Sequence, residues 1–84
     1  MAMSNLALAA LEPQQHAVVT ALNLEFAVRE RLAALGVRIG RKLHVVRRVG
    51  TSGPMQVRID HTDLILRRSE ANRIEVRLLS EASS

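Results

Sequence analysis

The chain has 84 residues, of which 48% are hydrophobic, and this combination predicts one small globular domain with an aliphatic core. The absence of cysteine excludes disulfides, thiolate metal sites and cysteine nucleophiles. The net charge of +4 favours an acidic partner, a nucleic acid or a membrane surface, and scattered arginines on solvated faces are the alternative. No apolar run approaches the roughly 20 residues that span a bilayer. We therefore expect a cytoplasmic protein without membrane insertion, a single domain over residues 1–84 with frayed ends near 1–5 and 80–84.

Five short strands are predicted from runs of β-branched residues or from alternating apolar and polar side chains. They cover residues 16–22, 42–49, 55–60, 64–67 and 74–78. The glycine-containing cluster at 50–54 predicts a flexible hairpin turn between the second and third strands. Strands of this number and spacing indicate a mainly β fold, a small closed or nearly closed SH3-like β-barrel, with an OB-type barrel as the alternative.

One short helix is predicted over residues 27–35, between the first two strands. Val28, Leu32 and Leu35 have the spacing of one helix face, so the two leucines are expected to point inward. Phe26 is the single aromatic residue, and we expect it to pack in the core beside this helix. The helix should therefore cover one side or one end of the barrel.

The stretch RLAALGVRIGRKLHVV resembles the helix-to-barrel joint of the FeoA family in the spacing of its leucines and glycines. Gly36 stands where a left-handed C-cap is needed after Leu32 and Leu35. Gly40 permits a second sharp bend before the next strand. The resemblance extends over about residues 6–79 through the segments LALAALEP, LHVVRRVGTSGPMQVRI and LILRRSEANRIEV.

Three positions depart from the pattern of the family. Gln14 follows Pro13 where a glycine is usual, and Ile39 precedes Gly40 where a proline is common. His61 occupies the turn between the third and fourth strands, where glycine is common, and histidine is one of the non-glycine residues enriched at positive φ. These departures concern the geometry of loops rather than the fold.

The resemblance implies a small accessory or regulatory protein of bacterial ferrous iron transport that binds the cytosolic side of the FeoB transporter. It implies no catalytic group, and the residues agree with that implication. The serines lie in turns or tails without a neighbouring histidine and acid, and the glycines do not form a phosphate-binding loop. We therefore do not expect an enzyme.

Histidines and acids near the hairpin are the candidate metal ligands. If the second and third strands pair, His44 could lie opposite Asp60, and His61 near Leu43. Imidazole and carboxylate groups are ligands for zinc or ferrous iron. The set His44, Asp60, His61 and Asp63 therefore predicts at most a weak surface site for zinc or ferrous iron, and no cofactor is required. Ordinary surface histidines are the alternative.

The hairpin tip and the exposed helix face are the candidate partner surface. Arg47, Arg48 and Met55 flank the turn, and Arg29 lies on the helix. Loops on a rigid barrel often carry binding residues, and arginine and methionine are enriched at protein interfaces. We expect these four residues to contact the transporter; a solvated turn and helix face is the alternative.

Nucleic acid binding is the main alternative function, because small barrels with many basic residues can contact phosphates. The chain has 12 basic residues but no tyrosine or tryptophan, and binding of single strands usually needs aromatic stacking. We therefore expect no nucleic acid partner. A stand-alone domain of the metal-regulator type is a third alternative, although no helix-turn-helix segment is visible. Homo-oligomerisation remains open.

Overall fold

One antiparallel sheet of six strands forms the framework of the computed structural model, which describes residues 5–79. The strands are β1 (Asn5–Ala7), β2 (His16–Leu22), β3 (Lys42–Arg48), β4 (Met55–Ile59), β5 (Thr62–Leu66) and β6 (Ile74–Leu78). They are connected by α1 (Phe26–Ala34), the single helical turn α2 (Arg68–Ala71) and a 3-10 turn (Leu8–Ala10). The predicted mainly β fold with one short helix between the first two long strands is confirmed.

The strands lie in the order β1-β6-β2-β3-β4-β5, so β1 and β5 form the two edges of the sheet. The sheet differs from the predicted one in having six strands and in remaining open, since within residues 5–79 its two edges do not pair. The additional strand arises because the apolar lead-in pairs with β6, where Leu6 lies opposite Val76. Of the ends predicted to fray, only Asn5 lies within the described residues, and it belongs to β1.

Aliphatic side chains fill one core on the inner face of the sheet. The largest fully buried side chains are Leu8, Leu11, Met55, Ile59, Leu66, Ile74, Val19, Val37, Val45, Val57 and Val76. Burying a side chain of this size stabilises the fold by about 1.5–3 kcal/mol relative to exposure. Because side chains alternate between the faces of a strand, the intervening polar residues lie on the outer face. Among residues 5–79, no helix has the length and apolar character needed to cross a bilayer.

The helix α1 contacts the core through a narrower face than its sequence pattern predicts. Leu32 is buried and Val28 packs against the core, but Leu35 is 43% exposed. Leu35 points outward because the helix ends at Ala34, and the C-cap residue no longer follows helical geometry. Phe26 is 77% exposed because it is the first residue of the helix and lies on its solvent side. The predicted inward positions of Leu35 and Phe26 are therefore wrong.

Two glycines shape the joint between α1 and β3 as predicted. Gly36 has a φ of 104° and Gly40 a φ of 93°, which are conformations that favour glycine. The backbone N–H of Gly36 donates to the carbonyl of Ala33 at 3.0 Å, and that of Val37 donates to Leu32 at 2.9 Å. These bonds close the helix and direct Val37 into the core.

The turn between β4 and β5 places its left-handed residue one position earlier than predicted. Ile59 pairs with Thr62, which leaves a loop of two residues, Asp60 and His61. Asp60 has a φ of 57°, and His61 is not among the residues with positive φ. The prediction for His61 is wrong because the strand pairing ends at Ile59, which makes Asp60 the first residue of the loop.

Gln14 also adopts a left-handed conformation, with a φ of 76°, where the FeoA pattern has glycine. Its side chain is exposed, and its backbone N–H donates to the carbonyl of Val45 at 2.8 Å.

The left-handed conformation of Gln14 predicts that glycine stabilises the fold at this position. A non-glycine residue in this conformation costs roughly 1–2 kcal/mol, which glycine avoids. Part of this gain is offset because glycine loses more conformational entropy on folding. Gln14→Gly is therefore expected to raise the free energy of unfolding by about 0.5–1 kcal/mol in urea denaturation. Ser52→Gly, at a position whose own φ is not positive, should give no gain; an equal change in both variants would contradict the prediction.

Candidate functional site

Four polar side chains lie in register across the outer face of four neighbouring strands. His16 on β2 pairs with His44 on β3, His44 pairs with Arg58 on β4, and Arg58 pairs with Asp63 on β5. Their chain neighbours Ala17, Leu43, Val57 and Leu64 are buried on the inner face. Strand alternation thus brings two imidazoles, a guanidinium and a carboxylate into one line, which we call the polar row.

The polar row consists of two contacting pairs. The rings of His16 and His44 are stacked, with centroids 4.6 Å apart and planes inclined by 24°. The Arg58 guanidinium donates two hydrogen bonds to the Asp63 carboxylate, with Nη2 2.8 Å from Oδ2. Gln56 donates a further bond to Oδ2 of Asp63 at 3.1 Å. The carboxylate of Asp63 therefore compensates the positive charge of Arg58, and the histidine pair stands beside a neutral ion pair.

The surroundings of the polar row change the acidity of two of its members. Burial lowers the pKa of the His44 imidazole below its ordinary value of 6.5, and His16 and Arg58 lower it further while Asp63 raises it. The hydrogen bond from Arg58 lowers the pKa of the Asp63 carboxyl below its ordinary value of 3.8. In both cases the deprotonated form is favoured in the folded state.

The shift at His44 predicts a loss of stability in mild acid. Because its folded-state pKa lies below 6.5, the unfolded chain binds the proton more readily, and the stabilising contribution falls as the pH drops below that value. Asp63 titrates in a more acidic range, so a comparison between about pH 7.5 and pH 5.5 isolates the histidine region. We expect His44→Gln to lose less stability over this interval than the unmodified chain. NMR titration should place the pKa of His44 below 6.5, and a value above it would contradict the prediction.

The predicted metal ligands do not form one cluster. His44 lies opposite Arg58 rather than Asp60 for two reasons. The hairpin pairs Arg48 with Met55, which is one residue away from the predicted register, and the register shifts by one further residue between Val45 and Arg47. Asp60 forms an ion pair with Arg41, and Asp63 forms one with Arg58. Within residues 5–79 no three histidine or acidic side chains are close enough to hold a metal ion together. The structure instead joins His44 to His16, a pairing that the sequence prediction missed.

A second feature of the outer surface is an apolar depression beside the β3–β4 hairpin, which we call the hairpin groove. It has a volume of about 150 Å³ and is lined by Arg47, Val49, Pro54, Met55, Gln56 and Ile65. Val49 is 52% exposed and Ile65 is 66% exposed, although both are large apolar side chains. An exposed aliphatic pair of this kind next to an arginine is suited to contact with another protein.

The predicted partner residues divide between the surface and the interior. Arg29 and Arg47 are exposed, Arg29 on α1 and Arg47 at the hairpin groove. Arg48 is mostly covered: it donates to the carbonyl of Leu11 at 3.0 Å and forms an ion pair with Glu12 at 3.1 Å. It therefore holds the segment before β2 against the hairpin.

Met55 is fully buried, so its predicted place on the contact surface is wrong. It begins β4 and shares the inner face with Val57 and Ile59. The exposed apolar residues near the turn are instead Val49 and Ile65, which the prediction missed. Alternation within β5, where Leu64 and Leu66 are buried, was the signal that could have identified Ile65.

The hairpin turn is tied to the rest of the molecule by Arg68, another residue missed by sequence reasoning. Its guanidinium donates to three backbone carbonyls of the turn: Gly53 at 2.8 Å, Thr51 at 3.0 Å and Gly50 at 3.1 Å. Arg68 begins α2, so this contact fixes the hairpin relative to that helical turn. The groove is therefore bordered by a turn whose backbone is held by side-chain hydrogen bonds.

An open sheet of six short antiparallel strands, with a helix inserted between β2 and β3, defines a small SH3-like domain. The chain belongs to the FeoA family, because the family model described as the FeoA domain matches residues 6–78. The predicted resemblance is thus confirmed over nearly the whole of the described chain. Family and fold support a role in ferrous iron transport.

Solved structures of FeoA proteins share this fold. The FeoA protein of Chlorobium tepidum is 37% identical, with a TM-score of 0.84 over 89% of this chain and 71% of that one. FeoA of Stenotrophomonas maltophilia, solved with zinc, is 30% identical, with a TM-score of 0.71 over 92% and 91%. That protein is described as a prokaryotic SH3 domain protein proposed to act as a ferrous iron transport activating factor. No curated protein sequence matches this chain.

A manganese-dependent transcriptional repressor shares the architecture at 21% identity. Its TM-score is 0.82 over 94% of this chain and 44% of the repressor. At this level of identity the likeness shows the fold alone.

Proposed function

We propose that this protein is a non-catalytic accessory protein of bacterial ferrous iron transport that works in the cytoplasm by binding the cytosolic side of an FeoB-type transporter. Membership of the FeoA family supports the transport role. The description of the Stenotrophomonas maltophilia relative as a transport activating factor supports a transporter as the partner. In this proposal the protein needs no resident cofactor, because binding rather than chemistry is its task.

The exposed hairpin groove is the observation that carries the binding proposal. Val49 and Ile65 leave apolar surface in contact with water, and covering it in a complex is favourable. Arg47 lies at the same groove and can form paired hydrogen bonds with a carboxylate of the partner. An apolar contact beside an arginine is a common arrangement of the residues that dominate binding energy. The complementary segment of the transporter would present an aliphatic side chain next to an acidic one.

The contact surface therefore consists of Arg47, Val49 and Ile65, with Arg29 of α1 as a separate exposed contact. It retains the two arginines of the sequence prediction that are exposed and replaces Met55 with aliphatic residues that a partner can reach. Arg48 is excluded from the surface because its guanidinium already contacts Leu11 and Glu12.

The double variant Arg47→Glu with Ile65→Ser tests this surface. Both side chains are exposed, so the circular-dichroism spectrum and the melting temperature should change little. Co-purification with detergent-solubilised FeoB should weaken by about tenfold or more, because residues at the centre of an interface contribute about 2 kcal/mol or more each. Ferrous iron uptake by cells that carry the variant should fall in parallel.

A matched control makes the same chemical change elsewhere. Arg77→Glu with Ile39→Ser alters one exposed arginine on β6 and one exposed isoleucine before β3. This control should bind FeoB and support uptake like the unmodified protein. Equal loss in both double variants would indicate a nonspecific effect of charge, and full binding by the groove variant would place the contact surface elsewhere. Failure of the unmodified chain to bind FeoB would overturn the proposed partnership itself.

A further inference from the structure

We propose that His16 and His44 together bind one divalent transition-metal ion on the outer face of the sheet. The two residues lie directly opposite each other on β2 and β3, and their rings are 4.6 Å apart between centroids. This site shares His44 with the set that the sequence indicated but takes His16 as its second ligand, and it is independent of the FeoB partnership. Its basis is the pairing of two imidazoles by the register of the sheet.

The geometry of antiparallel pairing allows both rings to reach a single ion. The Cβ atoms of directly opposite residues are about 4.5–5.5 Å apart, which is short enough for two imidazoles to converge. His16 is exposed and His44 is half-buried, so rotation about their side-chain bonds can turn the stacked rings toward a shared ligand. Within residues 5–79, neither imidazole is hydrogen-bonded to another residue, so no such bond must break before a metal binds.

The surroundings favour a weakly held ion with open coordination positions. The rings border a depression of about 200 Å³ that is also lined by Lys42, Arg58 and Asp60. Arg58 is compensated by Asp63, and Asp60 is paired with Arg41, so Lys42 is the remaining cationic neighbour in this depression. Two neutral nitrogen ligands and room for water suit Cu²⁺, Ni²⁺ or Zn²⁺ better than Mg²⁺ or Ca²⁺. Two protein ligands, rather than four, indicate an exchangeable ion rather than a structural one.

Titration of the isolated full chain with CuCl₂, NiCl₂ and ZnCl₂ tests the site. We expect one ion to bind per chain at about neutral pH, with Cu²⁺ the tightest of the three, because affinities of nitrogen sites follow that order. His16→Gln and His44→Gln should each weaken binding by about tenfold or more, since each removes the second, intramolecular ligand. His61→Gln is the matched control, because His61 lies in the β4–β5 turn, and it should leave the affinity unchanged.

A second measurement does not depend on the variants. Paramagnetic Ni²⁺ added to the unmodified chain should broaden the NMR signals of the His16 and His44 rings before those of His61. The proposal is overturned by the absence of saturable binding, by equal loss in all three variants, or by preferential broadening at His61. It is also overturned if sedimentation shows that the ion binds only by joining two chains. Because these experiments use the isolated chain, their outcome is separate from that of the FeoB experiment.

Discussion

Replacing Met55 with alanine is expected to lower the free energy of unfolding by about 3 kcal/mol, although the sequence places this residue beside an exposed turn. The side chain is fully buried, and Met55 pairs with the equally buried Leu66 across β4 and β5. Its truncation removes apolar contacts from the centre of the core and leaves a cavity. A small domain is stable by only about 5–15 kcal/mol, so the variant should unfold at clearly lower urea concentration and temperature.

Gln56→Ala is the matched control for Met55→Ala. Gln56 follows Met55 on the same strand, lies on the outer face and is only half-buried. Its loss removes one hydrogen bond to Asp63 and should cost about 1 kcal/mol or less. If Met55→Ala kept its stability but lost binding to FeoB, the residue would be a contact of the partner and its buried position in this structure would be contradicted.

The strands could be predicted because their side chains follow simple local patterns. The β2 segment His16–Leu22 agrees with its prediction at both ends, and β6 agrees over Ile74–Leu78. The three-residue strand β1 could not be predicted in this way, because it is too short to show alternation. Its pairing with β6 joins the two ends of the described chain, with Asn5 opposite Arg77. Such a nonlocal pairing leaves no trace in a local pattern.

The errors at α1 have a related physical cause. Periodicity correctly identifies Leu32 as the residue that faces the core. The same periodicity gives the wrong orientation for Leu35, because the helix ends at Ala34. A side chain beyond the end of a helix no longer follows the helical period. The predicted burial of Phe26 is wrong for a different reason. Hydrophobicity alone does not determine whether a residue at the first position of a helix is buried.

The candidate sites depended on strand register, which the sequence does not specify directly. A shift of one residue exchanges the two faces of a strand, and the register shift between Val45 and Arg47 decides which residue faces His44. The predicted metal ligands assumed neither this shift nor the observed hairpin register, in which Arg48 pairs with Met55, and they therefore do not come together. Ile65, in contrast, could have been placed outside from the alternation of β5 alone. Local alternation thus predicts the face of a residue, whereas its cross-strand neighbour requires the structure.

Replacing Arg68 with alanine is expected to lower the free energy of unfolding by about 2 kcal/mol and to loosen the hairpin beside the groove. The guanidinium forms three hydrogen bonds to carbonyls of the turn, and bonds from a charged donor contribute about 1.5–3 kcal/mol each but not additively. Arg68→Lys should recover only part of the loss, because an ammonium group cannot reproduce the planar arrangement of donors. Urea denaturation measures the change in stability, and hydrogen exchange at Gly53, whose N–H donates to Val49 at 2.9 Å, measures the loosening.

Arg67→Ala separates the hairpin contact from the loss of an arginine in general. Arg67 is the preceding residue and is exposed, and its bond to Glu70 uses the backbone N–H, which alanine retains. This variant should therefore cost about 0.5 kcal/mol or less and leave exchange at Gly53 unchanged. If Arg68→Ala behaved like Arg67→Ala in both measurements, the turn would be held by its own backbone bonds.

The same variant also connects the hairpin to the proposed contact surface, because Val49 and Pro54 flank the turn that Arg68 holds. If Arg68→Ala is less stable and also binds FeoB less tightly than the unmodified chain, a fixed hairpin is part of that surface.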